Sequence, residues 1–449
     1  MRQSATPKEV TRLHRWKQHL RRKSYDCRSI YTGDAPPEAK KVKPSSTLVP
    51  QMTKIGRYFT KMSLNEIRGK RPIVKINMPR DFCIFSNPEQ VIKHCGQVFN
   101  LFRRTDIEHI HFDHRKTAKY SLGAEILFGL STAEGVKYRS TNSYQTVQLD
   151  GELPSNRDHA NIIRDVGIVS EVESVTANQQ VAQNMQLVHV FKSECLTFET
   201  PSAMALDSIT KTTNEVIIHL NQCLKDLHLE LKSSAAERFR KCISEMLDNA
   251  VEHCKQTHPA WYVRSYLNGN GSDRFFELSI FNFGCSYADT FTRLSNDHYA
   301  KGFVSQYIKN HRSLFDESAL YTIAALQGRV SSKNNDEYDN RGQGTIVLIE
   351  SFENMYNELK LLRPDLVHDN RSMMNLISGK TVITFDGRYK SKTVHYSDGS
   401  ERVIYPFNDE LDLKCPPSSS YIKTMTLAYF PGAMINIRLP LSTNIVAST

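Results

Sequence analysis

The 449-residue chain contains no uninterrupted apolar run approaching the ~18 to 20 residues of a spanning helix, and its N-terminus lacks the apolar core of a secretory signal. A soluble, cytoplasmic protein away from the membrane is expected. Its nine cysteines (Cys27, Cys83, Cys95, Cys195, Cys223, Cys242, Cys254, Cys285, Cys415) are odd in number, scattered and never spaced as C-x-x-C. That pattern speaks against a disulfide framework and against a structural zinc site, and fits reduced thiols. There is no Walker A loop, no G-x-S-x-G and no paired Cys/His of a thiol enzyme, so P-loop, serine-hydrolase and thiol-enzyme classes find no support. No segment repeats, and none is low in complexity.

Hydrophobic residues make up 39% and charged residues 24%, the composition of a folded chain long enough for two or three domains. The net charge of +10 is concentrated near the start, where residues 1–75 hold 19 Lys/Arg against 5 Asp/Glu. The basicity belongs to an arm and leaves the rest slightly acidic. Residues 8–25 put Leu13, Trp16 and Leu20 at helical spacing among Arg and Lys, which predicts a short basic amphipathic helix. An arm of this charge attracts nucleic acid through residues 1–45, or stands as a solvated tail with no partner.

Ala35-Pro36-Pro37 and Lys43-Pro44-Ser45-Ser46 punctuate a linker. From Pro72 short apolar runs alternate with helical stretches: IVKINMP, PEQVIKHCGQVFNLFRR, IEHIHFD and SLGAEILFGLSTA predict strand, helix, strand, helix, a small α/β layer. HANIIRDVGIV predicts a helix ended by Gly167, with an extended stretch near Gln186–Phe191. Residues 203–230 predict a long helix, followed by a second helix over 235–255, strands at WYVRSYLN and RFFELSIFNFG, and further strands at 380–386 and 433–439. The expected division is an arm and linker over 1–60, an α/β domain over 61–195 and a second domain over 196–449.

The informative run is AAERFRKCISEMLDNAVEHCKQ, where Phe239, Ile243, Met246, Leu247, Ala250 and Cys254 recur at three- and four-residue spacing and define a buried helix face. Glu245 and Asn249, one turn apart, share a neighbouring face. A carboxylate that orients water and a carboxamide that ligates Mg²⁺ suit a phosphate site; an ordinary helix edge is the plainer account. Downstream, the strand LSIFNFG ends on Asn282-Phe283-Gly284, and Arg341-Gly342-Gln343-Gly344-Thr345 precedes a helix-like run, as glycines do where backbone N–H groups close on phosphate. PGAMINIRLP follows as a glycine leading into an alternating strand.

In this order the four segments resemble the ATP-binding domain of the GHKL superfamily, which includes DNA gyrase, heat-shock chaperones, histidine kinases and anti-sigma-factor kinases. SEMLDNAVEH resembles its E-x-x-x-N-A helix box, SIFNFGCS its D-x-G-x-G, RGQGT its second glycine box and PGAMINIRLP its closing segment. The resemblance covers residues 200–449 and implies an α+β two-layer sandwich that binds ATP and Mg²⁺. It implies Glu245 as general base, Asn249 as Mg²⁺ ligand, Asn282 at adenine with Gly284 beside it, and Arg341, Gly342, Gln343, Gly344 and Thr345 around the phosphates. Asn282 replaces the family's Asp, Ser286 its second glycine and Ala433 its closing Thr. The run Asn296 to Asn340 is expected as the ATP lid, with Lys333 and Arg341 either reaching the γ-phosphate or standing as solvated loop charges. A lid-gated surface implies a protein partner, and many members of the superfamily act as homodimers.

Residues 70–170 also resemble a STAS-type domain, the α/β fold of anti-sigma-factor antagonists, with Ser121 at the helix N-cap where that family is phosphorylated. The family's D-S-S-G is absent, which favours an unmodified N-cap. His109, His111 and His114 invite a metal reading, but without Cys or a nearby carboxylate at ligand spacing they are read as a half-buried strand. His219 lacks the acidic neighbour and proline of a histidine-kinase phosphoacceptor and is expected on a helix surface. Three functions follow: an ATP-driven switch, a non-catalytic nucleotide sensor with a nucleic-acid arm, or a serine kinase acting on a STAS-type partner.

Overall fold

The structure is a computed structural model that describes residues 50–63, 72–176, 189–196, 202–225, 233–253, 260–268, 274–328, 330, 344–362, 373–388, 390–395 and 401–440. The expected basic helix over 8–25 lies outside them. The N-terminal part runs α1 (Lys54–Phe59), β1 (Ile73–Asn77), β2 (Asp81–Phe82), α2 (Pro88–Phe102), β3 (His109–Asp113), β4 (Lys119–Tyr120), α3 (Leu122–Thr141), β5 (Gln148–Glu152), α4 (Arg157–Asp165) and α5 (Ile168–Thr176). β1, β3 and β5 form a parallel three-stranded sheet in that order. α2 opens on Pro88, whose missing N–H is no loss in a first turn. α3 is capped by Ser121 and buried almost all round from Leu122 to Gly135, as a helix must be when it has protein on every side. The helix expected to end at Gly167 does so, the Gly167 N–H donating to Ile162 O over 2.8 Å, and α5 follows at once.

The remainder runs β6 (His189–Leu196), α6 (Ser202–Lys225), α7 (Ser233–His253), β7 (Ala260–Asn268), β8 (Phe275–Phe283), α8 (Tyr287–Thr292), α9 (Ala300–His311), α10 (Glu317–Ala325), α11 (Gly344–Leu362), β9 (Met373–Gly379), β10 (Thr381–Phe385), β11 (Lys392–His395), β12 (Glu401–Ile404), β13 (Ile422–Thr424) and β14 (Phe430–Pro440). Seven strands form an antiparallel sheet in the order β13-β10-β9-β14-β8-β7-β6. β6, which precedes residue 196, is its edge strand. The protein is therefore mixed α/β, with one parallel and one antiparallel main sheet.

Both faces of the large sheet are covered, which is why its central strands read as near-continuous apolar runs instead of clean alternation. Phe276, Leu278 and Ile280 of β8 and Ile435 and Ile437 of β14 face a layer formed by α6, α7, α9, α10 and α11. Phe281, Phe283 and Met434 face the N-terminal helices, sharing one core with Phe59, Phe99 and Phe128. Polar contacts join the layers too: the Leu122 N–H at the start of α3 donates to Glu277 Oε2 over 2.7 Å, and Arg438 Nε donates to Glu277 Oε1 over 2.5 Å.

The segment expected as a lid is largely core. Val304, Tyr307 and Ile308 of α9 and Leu320 and Ile323 of α10 are buried against the sheet, because their apolar residues recur at helical spacing within a polar setting. Of this segment, Arg329 and the tail, 331–340, lie outside the described residues. Among the described residues no helix is long and apolar enough to cross a membrane.

Candidate functional site

α7 packs its expected face inward: Phe239, Ile243, Met246, Leu247 and Ala250 are buried, Cys242 is buried beside them, and Cys254 lies outside the described residues. Cys242 Sγ lies 3.2 Å from Ser351 Oγ and ties the helix to α11, and burial pushes its thiol up to about 11. Glu245 sits half-buried on the adjoining face. Asn249 occupies the next turn of the same helix, its side chain outside the described set.

Asn282 is on β8, flanked by Trp261 of β7 and Ala433 of β14, and is 7% exposed. By strand parity it faces the helical layer together with Ile280 and Leu278. No hydrogen bond ties its amide to another side chain among the described residues. It lines a small cleft of about 30 Å³, whose walls come from Met246 and Ala250 of α7, Ile280 and Ile435 of the sheet, and Cys285, Tyr287 and Thr290 beyond the strand end.

The cleft floor depends on a close backbone approach. β14 is irregular between Phe430 and Ala433, and Gly432, at φ +133°, passes so near the Asn282 carbonyl that any Cβ there would collide with it. Ser378 Oγ donates to Gly432 O over 2.8 Å and accepts from the Tyr287 N–H over 3.0 Å. Gly284 N–H donates to Pro431 O over 3.1 Å. The PGA segment thus shapes the wall on which Asn282 sits.

Where the glycine-loop expectation has its second glycine, Ser286 starts a helix. Its Oγ accepts from the Asp289 N–H over 3.1 Å while the Asp289 carboxylate accepts from the Ser286 N–H over 3.0 Å, a reciprocal cap. Burial would raise the Asp289 carboxyl, but hydrogen bonds from Tyr429 and Ser286 outweigh it and hold it below the usual range. Arg341, Gly342, Gln343 and Lys333 lie outside the described residues. Gly344 and Thr345 open α11, so the helix expected after the glycine box is present.

Other singled-out residues are dispersed. Ser121 Oγ, fully buried, accepts from the Ile84 N–H over 2.8 Å and caps α3. His219, expected on a helix surface, is instead 8% exposed, its ring against Phe191. His109 and His111 are half-buried and both approach Asp150 of β5, at 3.0 and 2.6 Å. The carboxylate is set opposite them by strand register, which no spacing in the sequence reveals. His114 points elsewhere and is buried beside Glu125 and His159, neither of which the sequence singled out.

No family model, curated protein or solved structure matches the chain. On its fold and geometry alone, it belongs to the class of mixed α/β proteins with a cleft between one helix and the end of a fully covered antiparallel sheet.

Proposed function

We propose that the cleft between α7 and the end of β8 binds ATP with Mg²⁺, in the manner of a GHKL-like domain. The observation that carries the reading is Asn282: a buried amide with no side-chain partner opens into a mostly apolar cleft walled by the helix that bears Glu245 and Asn249. A flat heterocycle with an exocyclic amine would enter by parting the walls at Met246 and Ile435, its amine then donating to the Asn282 oxygen. Asn282 carries no charge to strengthen that bond.

In this reading Glu245 orients water for attack on the terminal phosphate, and Asn249 supplies an oxygen to Mg²⁺, which neutralises phosphate charge when bound. Gly342 and Gly344 with their neighbours would form the phosphate cradle ahead of α11. Nucleotide binding would bias a surface read by a protein partner or a second copy, within a cytoplasmic regulatory protein. The N-terminal α/β layer takes the STAS-like part. Serine-kinase activity on a separate STAS-type partner is a further variant of this reading.

A second reading is favoured by Ser286. Its reciprocal cap with Asp289, reinforced by Tyr429 Oη donating to Asp289 Oδ2 over 2.6 Å, puts a fixed helix where a mobile glycine loop would serve turnover. That arrangement suits a nucleotide sensor that binds without hydrolysis and whose basic arm, residues 1–45, docks nucleic acid.

Titration of the purified chain with ATP, with and without Mg²⁺, followed by single-turnover assays, tests the site. Asn282→Leu is expected to weaken ATP binding by about 1 to 3 kcal/mol, the cost of an unpaired buried amine. Glu245→Ala is expected to bind normally and to slow turnover on the order of a hundredfold. Asn249→Ala is expected to weaken only Mg²⁺-dependent binding. A sensor retains the Asn282 and Asn249 effects with no turnover to lose. Unchanged affinity in both Asn282→Leu and Asn249→Ala would remove nucleotide from the cleft.

A further inference from the structure

Away from the cleft, three ionisable side chains converge at the C-terminal rim of the parallel sheet. His114 follows the last residue of β3, Glu125 lies in the first turns of α3, and His159 lies in the first turn of α4. Parallel strands and the helices that follow them bring strand C-termini and helix N-termini to one rim, where α/β proteins place their ligands. The carboxylate of Glu125 also gains from the positive end of α3.

The group is completely enclosed: His114 is 1% exposed, and Glu125 and His159 are 0% exposed. His159 Nε2 lies 2.7 Å from Glu125 Oε1, His114 Nδ1 lies 4.0 Å from the same oxygen, and one donor atom from each residue falls within 4.8 Å of the others. The walls are aromatic. Tyr120 stacks flat on the His159 ring at 4.3 Å, and Phe128 packs edgewise on His114 at 5.9 Å.

Hydrogen bonding within this enclosure does not close. Both ring nitrogens of His114, Nδ1 of His159 and Oε2 of Glu125 are buried without a partner. Each such atom has lost its hydration with nothing in return, and folded proteins seldom concentrate several in one place.

We propose that His114, Glu125 and His159 are the protein ligands of a Zn²⁺-type divalent cation. Two imidazole nitrogens and one carboxylate oxygen, with no thiolate, suit Zn²⁺ better than soft Cu(I) or the hard cations Mg²⁺ and Ca²⁺. Ligand bonds of about 2.0 to 2.2 Å put neighbouring donor atoms roughly 3.3 to 3.5 Å apart around a tetrahedron. The 2.7 Å separation of His159 and Glu125 widens and the 4.0 Å separation of His114 and Glu125 narrows, each by less than about 1 Å. On binding, a His159 ring hydrogen held at Nε2 against Glu125 moves to Nδ1, which leaves the Nε2 lone pair for the ion and keeps the ring neutral. Among the described residues no fourth His, Cys, Asp or Glu joins the group, so water completes the coordination. Full enclosure makes the ion a structural tie between the end of β3 and the starts of α3 and α4.

The test uses the full chain, stripped of metal by a chelator and titrated with Co²⁺ as a spectroscopic probe, then with Zn²⁺. One equivalent of Co²⁺ is expected to give the intense visible bands of a four-coordinate ion, Zn²⁺ is expected to displace it, and the melting temperature is expected to rise with metal. Glu125→Gln keeps the size of the side chain and its contact with His159 but is a poor ligand. Loss of outer-shell partners alone costs about 10- to 100-fold in affinity, so this variant is expected to lose about 100-fold or more while keeping the parent's circular dichroism. Asp150→Asn disarms the half-exposed group at His109 and His111 and is expected to leave Co²⁺ binding unchanged. Absence of metal binding in the parent overturns the proposal, as does binding lost in Asp150→Asn but kept in Glu125→Gln. Should Glu125→Gln fail to fold, the metal-dependent melting shift of Asp150→Asn decides by itself, since among the described residues that chain retains only the enclosed group.

Discussion

Glu353 on α11 is 7% exposed, and Tyr405 Oη donates to its Oε2 over 3.1 Å. Burial, opposed by that hydrogen bond and by Lys390, pushes its carboxyl up to about 7. In the unfolded chain a glutamate titrates near ~4.3, so between these values the folded protein holds a proton that the unfolded chain has released. The stabilisation is fully present below the unfolded value and is lost as pH rises through the folded one. Relative to Glu353→Gln, the parent is expected to lose about 1 to 3 kcal/mol between about pH 5 and about pH 8. Urea midpoints of both chains across that range check it, and parallel pH slopes would assign the loss to other groups. At this scale the sequence is partly legible. Asn282 stands out because it ends an apolar strand. Glu353 and His159 do not, because burial and partners come from residues far away in the chain.

Among elements, the seating of α3 on the sheet is the most constrained. A Cβ on Gly123 would collide with Asn436 Oδ1 and come within 2.9 Å of Met434 Cε. Asn436 cannot swing aside freely, because its Oδ1 accepts from Ser279 Oγ over 2.8 Å and its Nδ2 donates to Asn375 Oδ1 over 2.9 Å. Gly123→Ala is therefore expected to destabilise by about 1 to 3 kcal/mol, the cost of overpacking. Gly302 in α9 has open space around it, so Gly302→Ala is expected to be neutral or to stabilise by up to about 1 kcal/mol. Chemical denaturation of the two variants checks the contrast, and equal effects would mean that helix propensity alone governs both. The helices themselves are legible: α2 announces itself with Pro88, α3 with Ser121, and α7 by its apolar spacing. β5 escapes notice because QLDGE is too polar to read as a strand, and α9 because a polar neighbourhood masks its Val304–Tyr307–Ile308 face.

For the whole molecule, the large sheet serves two cores. Among the described residues Tyr262, Phe281, Phe283, Phe430 and Met434 share a core with the N-terminal layer, with Tyr58 stacked on Phe283 at 5.4 Å. A chain beginning at residue 189 would leave that aromatic face in water, well beyond the apolar patches that monomers tolerate. Such a fragment is expected to aggregate or to bind an apolar dye strongly, while the full chain unfolds in one cooperative transition. Dye fluorescence and light scattering on the fragment check this, and a monodisperse fragment with little dye binding would show that the two layers fold independently.

What the sequence by itself determined is the order of most elements, the buried face of α7, and the position of Asn282 at a strand end, because helical and strand periods are local properties read within a few turns. Tertiary structure alone decided that the strand before residue 196 joins the second sheet, that much of the expected lid is core, that Ser286 caps a helix, and that His114 meets Glu125 and His159. Each of these depends on what packs across a sheet or at the rim of one, and residues brought together by strand order carry no mark of it in their spacing along the chain.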